Sequence, residues 1–144
     1  MNIHFLLPSL NNSGGVRVIF EYANRLQERG HDVTIFYPLI PFTFNFSFLS
    51  IRSYLIFFKD LLSNFSRRRY SWFPLTCNLR KSLFFSNIFI PPADFVIATA
   101  WPTAYSLRKL DSSKGKKIYF IQHYETVFGP AHKVEMTYSF PFTK

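Results

Sequence analysis

The sequence predicts an α/β fold built on a doubly wound, mostly parallel sheet. Three observations carry that reading. Short apolar runs, "NIHFLLP" at residues 2–8 and "HDVTIFYP" at 31–38, bracket a segment of helical periodicity. A second strand-then-helix round starts at "PPADFVIATAWP", residues 91–102, and a further strand follows at "KIYFIQHYE", residues 117–125. Finally, 144 residues with 48% hydrophobic content suffice for one domain with a real core.

Taken in order, "NIHFLLP" is an apolar run closed by Pro8, as a buried parallel strand requires. "SLNNSGG" is turn-rich. From Val16 to Arg29 the residues Ile19, Tyr22, Ala23 and Leu26 share one helical face, with Arg17, Glu21, Asn24, Arg25 and Glu28 opposite. Ser13 is placed to cap that helix, and Gly30 stands where a left-handed C-terminal cap is expected. "HDVTIFYP" is the second strand, which completes a βαβ unit. Further on, a strand is expected near Phe95 to Thr99, a short helix from about Pro102 to Leu110 with proline in its first turn, and a polar turn at "DSSKGKK". The tail "TYSFPFTK" carries no sign of a closing helix.

Residues 39–90 are a variable aromatic and basic segment. Phe48, Ile51, Leu55, Phe58 and Leu62 form a helical stripe, followed by the run Arg67, Arg68, Arg69. Asn45, Arg52, Lys59 and Asp60 interrupt the roughly 20 apolar residues that a transmembrane helix needs. Two placements remain: a helix packed on the domain's own sheet with a solvated basic turn after it, or an amphipathic helix lying in a membrane interface with its arginines on anionic headgroups. A net charge of +9 and 19 phenylalanines suit anionic partners in general, whether nucleotide phosphates, nucleic acid or lipid. The single cysteine, Cys77, excludes an intramolecular disulfide. "MNIHFLL" lacks the basic start of a signal peptide and meets Pro8 early, so a cytoplasmic protein is expected.

In an open parallel sheet, ligands bind beyond the C-terminal ends of the strands. Three loops belong there: "NNSGG", "ATAWP" and "QHYETVFG". Gly14 and Gly15 let backbone approach a ligand at a helix N-terminus, where a phosphate or a sugar hydroxyl is well received; a tight strand-to-helix turn explains them equally. Their spacing is neither the dinucleotide fingerprint nor the P-loop. His123 is a hydrogen-bonding candidate in the last loop, or simply a loop histidine bonded to backbone. Tyr124 and Glu125 are placed to fix its tautomer or to bind a hydroxylated ligand. Trp101 offers a flat face for a sugar ring or base, with ordinary core packing as its alternative. No metal site is expected, since His4, His31 and His132 lack partners at ligand spacing.

"SGGVRVIFEYANRLQERGHDVTIFYP", "ADFVIATAWPTAYSLRKL" and "KKIYFIQHYE" in this order resemble the N-terminal half of a GT-B glycosyltransferase of the family-4 type, especially members that build polysaccharides and rhamnose-containing glycans. The resemblance covers residues 1–38 and 91–128. It implies a Rossmann-like acceptor-side domain spanning 1–144, and transfer of a sugar from a nucleotide-sugar donor to a glycan or lipid-linked acceptor, with retention and no cofactor or metal. Carried over, His123 would be the catalytic residue beside the reacting sugar. Asn12, Gly14, Gly15 and Arg17 would meet the donor phosphates or substrate, and Trp101, Tyr124 and Glu125 the acceptor. The family's usual His-Asp pair is replaced by His123-Tyr124-Glu125. Nothing resembles the C-terminal donor domain, so the chain alone is expected to be inactive. Nucleic acid is not an expected partner; a non-catalytic nucleotide- or nucleic-acid-binding α/β module is the alternative.

Peripheral attachment to the inner face of a membrane would depend on Arg67, Arg68 and Arg69. Flotation with anionic liposomes should carry the chain upward. Replacing all three arginines by alanine should remove the shift, as should neutral lipid.

Overall fold

A computed structural model describes residues 1–39 and 72–144. The helical stripe expected at 48–62 and the arginine run 67–69 lie outside the described residues. Five strands form one sheet: β1 (Asn2–Leu6), β2 (Asp32–Pro38), β3 (Asn78–Ser82), β4 (Phe95–Ala98) and β5 (Lys116–Tyr119). Among the described residues three α-helices accompany them: α1 (Gly14–Glu28), α2 (Trp101–Lys109) and α3 (Ala131–Tyr138). The sheet order is β3-β2-β1-β4-β5, and every pairing is parallel. This is the Rossmann-like, doubly wound arrangement, with the order reversing between β1 and β4.

Side chains of successive strand residues enter opposite layers. Ile3, Phe5, Val33, Ile35 and Ile97 join Val16, Ile19, Phe20 and Ala23 of α1 on one face. Leu6, Phe36, Val96 and Ala98 join Ala104 and Leu107 of α2 on the other, closed by Phe140 beyond α3. Fully burying an aliphatic or aromatic side chain of this size is worth about 1.5–3 kcal/mol, so each face is held by several such contributions. His4 is buried among them with its ring edge-on to Phe36 at 5.0 Å. Burial pushes its pKa below the ordinary value, with Asp32 pulling the other way.

Helix α1 begins and ends as its sequence predicts. Ser13 is the N-cap and its hydroxyl accepts from the Val16 amide at 3.4 Å. At the other end the Gly30 amide donates to Gln27 and the His31 amide to Leu26, the paired bonds of a Schellman turn with Gly30 at φ +84°. Two residues change faces relative to expectation. Tyr22 is half-exposed, whereas Asn24 is buried. The Asn24 carboxamide donates to the Pro74 carbonyl at 2.8 Å and accepts from the Thr76 amide at 2.9 Å, tying the chain that leads into β3 to the helix.

Three elements depart from the sequence reading. β3, "NLRKS", is a polar edge strand paired to β2 alone, so it lacks the apolar run that marks a central strand. β5 ends at Tyr119 rather than running on to Glu125; beyond it the Phe120 amide still reaches Ala98, and Thr143 pairs with Ile118 from the outer side. α3 occupies "AHKVEMTY", where the sequence predicts no element, because only Val134 and Thr137 of it are buried and one turn of burial writes no legible period; it shares only Thr137 and Tyr138 with the tail "TYSFPFTK".

The turn "DSSKGKK" demands glycine. Gly115 has φ +124° and ψ 178°, and a Cβ there would stand 2.2 Å from the Ala93 carbonyl oxygen. Gly115→Ala is expected to cost about 1–3 kcal/mol or more, since the backbone region alone carries that penalty. Gly30→Ala, which meets nothing within 4 Å, is expected to cost only about 1–2 kcal/mol. Urea denaturation of both variants checks the order.

Candidate functional site

Because all five strands are parallel, the chain leaves β1, β4 and β5 at the same edge of the sheet. Those exits bound a cleft of about 310 Å³ over the switch point between β1 and β4. Leu7, Pro8, Ser9 and Asn11 line it from the first exit, with Ser13, Gly15 and Val16 of the following turn. Thr99 and Ala100 come from the second exit, and Gln122, His123, Glu125 and Phe128 from the third.

The first loop is held by its own side chains. Asn11 accepts from the Ser13 amide at 3.1 Å and donates to Ser9 at 3.1 Å. These bonds set the entry into α1, whose first turn contains no acidic residue to oppose an incoming acceptor group. Thr99 donates to the Leu6 carbonyl at 2.9 Å, stitching the exits of β1 and β4 together.

His123 is exposed on the cleft wall, its ring edge-on to Phe128 at 4.9 Å. Its Nδ1 lies 2.9 Å from the Tyr124 carbonyl oxygen. A carbonyl only accepts, so Nδ1 carries the proton in the neutral ring, and Nε2 is the acceptor.

Glu125 is 6% exposed and reaches across to the next helix. Its Oε2 accepts from the Trp101 amide at 2.6 Å and from the Tyr119 hydroxyl at 3.3 Å. Its own amide donates to the Tyr138 hydroxyl at 2.9 Å. The N-cap of α2 is Ala100, which has no side-chain oxygen, so Glu125 does that work from 24 residues away. Burial raises the Glu125 pKa, opposed by the Trp101 amide, Tyr119 and His123. Burial likewise pushes the Tyr119 hydroxyl far above its usual range. At the other end of α2, Lys117 of β5 donates to the Leu110 carbonyl and to that of Arg108 at 3.3 Å.

Of the residues singled out in the sequence, Gly15, His123 and Glu125 meet in the cleft. Gly14 adjoins it, exposed, and Asn12 is exposed outside its lining. Arg17 lies on the outer face of α1, in a separate surface groove of about 500 Å³ shared with Tyr22, Arg25 and Arg29. Trp101 is buried at 4% exposure with its ring against Gly129, where a Cβ would stand 2.8 Å from it, and edge-on to Tyr105. That is core packing, not an open platform. Tyr124 is exposed and turned away from the lining, donating to Glu135 at 2.7 Å and stacked on Tyr138. Residue-by-residue reasoning missed Ser9, Thr99, Gln122 and Phe128. The rule of strand ends had marked three of them, since the quoted loops contain Thr99, Gln122 and Phe128.

Among the described residues no group of three His, Cys, Asp or Glu side chains is gathered as a metal site requires, and no helix is long and apolar enough to cross a membrane. Cys77 is half-buried, and burial pushes its thiol up to about 11. Fold and cleft together define a Rossmann-like α/β domain with a small hollow at its switch point. No protein-family model, curated protein or solved structure matches the chain.

Glu125→Ala is expected to lower stability by about 1–3 kcal/mol through loss of the bond to the Trp101 amide. Glu125→Gln keeps an acceptor and should lose less. The folded carboxyl holds its proton to higher pH than the unfolded one, so wild-type stability should fall as pH rises above the ordinary glutamate range. Urea melts across pH 4–8 should show that decline in the wild type and a flatter profile in Glu125→Gln.

Proposed function

We propose that the chain is the acceptor-side part of a glycosyltransferase, which moves a sugar from a nucleotide-sugar donor to a glycan or lipid-linked acceptor, with the retention that the family resemblance implies. One observation carries the reading: three strand exits converge on a single small hollow, with a histidine acceptor nitrogen at its wall. In this reading His123 Nε2 accepts from an acceptor hydroxyl and orients it toward the donor carbon. Glu125 acts through structure, because its Oε2 is committed to Trp101 and Tyr119; it is a positioning residue for the loop that carries His123. Gly15 offers close backbone approach beside the Gln122 side chain. The donor diphosphate belongs mainly to groups outside this hollow, since no lysine or arginine among the described residues lines it. An anionic membrane surface, met by Arg67, Arg68 and Arg69, suits a lipid-linked acceptor.

The outer face of α1 favours a second reading, a non-catalytic nucleotide- or nucleic-acid-binding module. Arg17, Arg25 and Arg29 stand there beside half-exposed Tyr22, a cationic and aromatic pairing that single strands use.

One titration separates the two. Glycan acceptors added to the ¹⁵N-labelled chain should shift the resonances of Gly15 and His123, and His123→Ala should weaken binding about fivefold, the value of one hydrogen bond. The isolated chain should leave nucleotide sugars unconsumed. Oligonucleotides shifting Tyr22 and Arg25, with no response of the cleft to any glycan, would replace the first reading with the second.

A further inference from the structure

The chain crosses from β3 to β4 without a helix, and residues 83–90 of that crossover spell "LFFSNIFI". Phe85 and Ile90 are buried in the layer shared with α2 and hold the segment down. Leu83, Phe84, Ile88 and Phe89 are exposed instead, Ile88 to 86% and Phe84 to 57%. The Phe84 and Phe89 ring centroids lie 6.5 Å apart. Single exposed apolar side chains are ordinary on a protein surface, whereas a cluster of large ones marks a contact surface.

Hydrogen bonds fix the shape of the segment. The Ser82 hydroxyl donates to the Phe84 carbonyl at 2.7 Å, and the Phe89 and Ile90 amides donate to that of Ser86 at 3.1 and 3.0 Å. Asn87 accepts from the Asp111 amide at 2.9 Å, which ties the loop to the end of α2. The side chains of Ser82 and Asn87 are thus committed to backbone, and the apolar groups are what the surface offers.

Charge indicates the partner. Residues 78–93 contain Arg80 and Lys81 and no acid. Arg80 stands level with Phe36, hence on the side of the sheet that the crossover covers, and it is exposed. Lys109, exposed in the last turn of α2, comes two residues before the amide that Asn87 holds. Asp111 is an acid at that corner, and Lys117 lies near enough to feel its charge. An apolar tip between cations fits a lipid surface with anionic headgroups: the tip enters the acyl boundary while the cations stay among the phosphates. A side chain as open as Ile88 stands proud of the fold, which suits insertion into a fluid layer better than a shape-matched protein contact.

We propose that the β3–β4 crossover is a lipid-docking loop, with Phe84 and Ile88 entering the interface of an anionic membrane and Arg80 and Lys109 meeting its headgroups. The proposal rests on the membrane contact of the reading above and deepens it with a surface separate from Arg67, Arg68 and Arg69. It requires no transfer step.

The test floats the full chain with vesicles of equal parts phosphatidylcholine and phosphatidylglycerol, beside vesicles of phosphatidylcholine alone. Wild type should rise with the anionic vesicles. Phe84→Ser combined with Ile88→Ser should lower the partition coefficient about tenfold or more. Arg80→Ala should lower it about fivefold, with the arginine run 67–69 intact in every variant. Thermal unfolding confirms a folded chain, and Ile88→Ser alone carries the test if the double variant unfolds. Flotation that ignores both serine variants would overturn the loop while leaving the membrane contact standing. A wild type that stays down with anionic lipid would remove both, and the acceptor titration would still decide the transfer reading. An elution volume that moves with concentration in the wild type but not in the double variant would assign the patch to a second copy of the chain and overturn the proposal. So would a maleimide that modifies Ile88→Cys no faster than the native Cys77, since the chain itself would then cover the tip.

Discussion

The constraint on which everything else depends is that β1 pairs in parallel on both sides, with β2 at one edge and β4 at the other. Both faces of this strand are covered, so Ile3, Phe5 and Leu6 are buried in the two layers and even His4 is enclosed. The strand also lies where the strand order turns from one direction to the other, which forces the chain after β1 and after β4 to diverge toward opposite layers. The hollow between those exits is a consequence of that divergence. It needs no special residue to open it, only residues that do not fill it.

What keeps the hollow in shape is a pair of charged side chains at the ends of α2. The helix has nine residues, short of the roughly 12–15 at which isolated helices become stable, so its place depends on tertiary contacts. Glu125 meets its first amide and Lys117 its last carbonyls, a negative group at the positive end of the helix and a positive group at the negative end. Both come from β5 or the loop that follows it. The segment that carries His123 is therefore fastened to the same helix that walls the core below it, and Tyr138 of α3 holds the Glu125 amide from the far side. Burial that raises the Glu125 pKa is the electrostatic cost of this arrangement, and the bonds from Trp101 and Tyr119 offset part of it.

The cleft is thereby divided between groups that build it and groups that face outward from it. Trp101, the most sugar-like platform in the sequence, belongs to the first set: its ring is pressed on Gly129, and its amide anchors Glu125. Phe128, one aromatic among 19 phenylalanines, lines the hollow and stays 49% exposed. Exposure, not residue type, separates them. The same holds for charge, since Arg17 follows the glycine pair by two residues yet emerges on the outer face of α1.

By itself the sequence determined the class of fold, the βαβ opening, both caps of α1 and the sheet edge at which the three exit loops gather. Those features are written in short-range patterns: apolar runs, a 3.6-residue period, a serine and a glycine at the ends of one helix. It did not determine β3 or α3, whose few buried residues leave no period, nor that Asn24 would turn inward to bind the loop before β3. Only the tertiary structure decided which side chains of the three exit loops look into the hollow. That choice depends on partners brought from far along the chain, Glu125 to Trp101 and Gln122 to Gly15, and no local pattern encodes such a meeting.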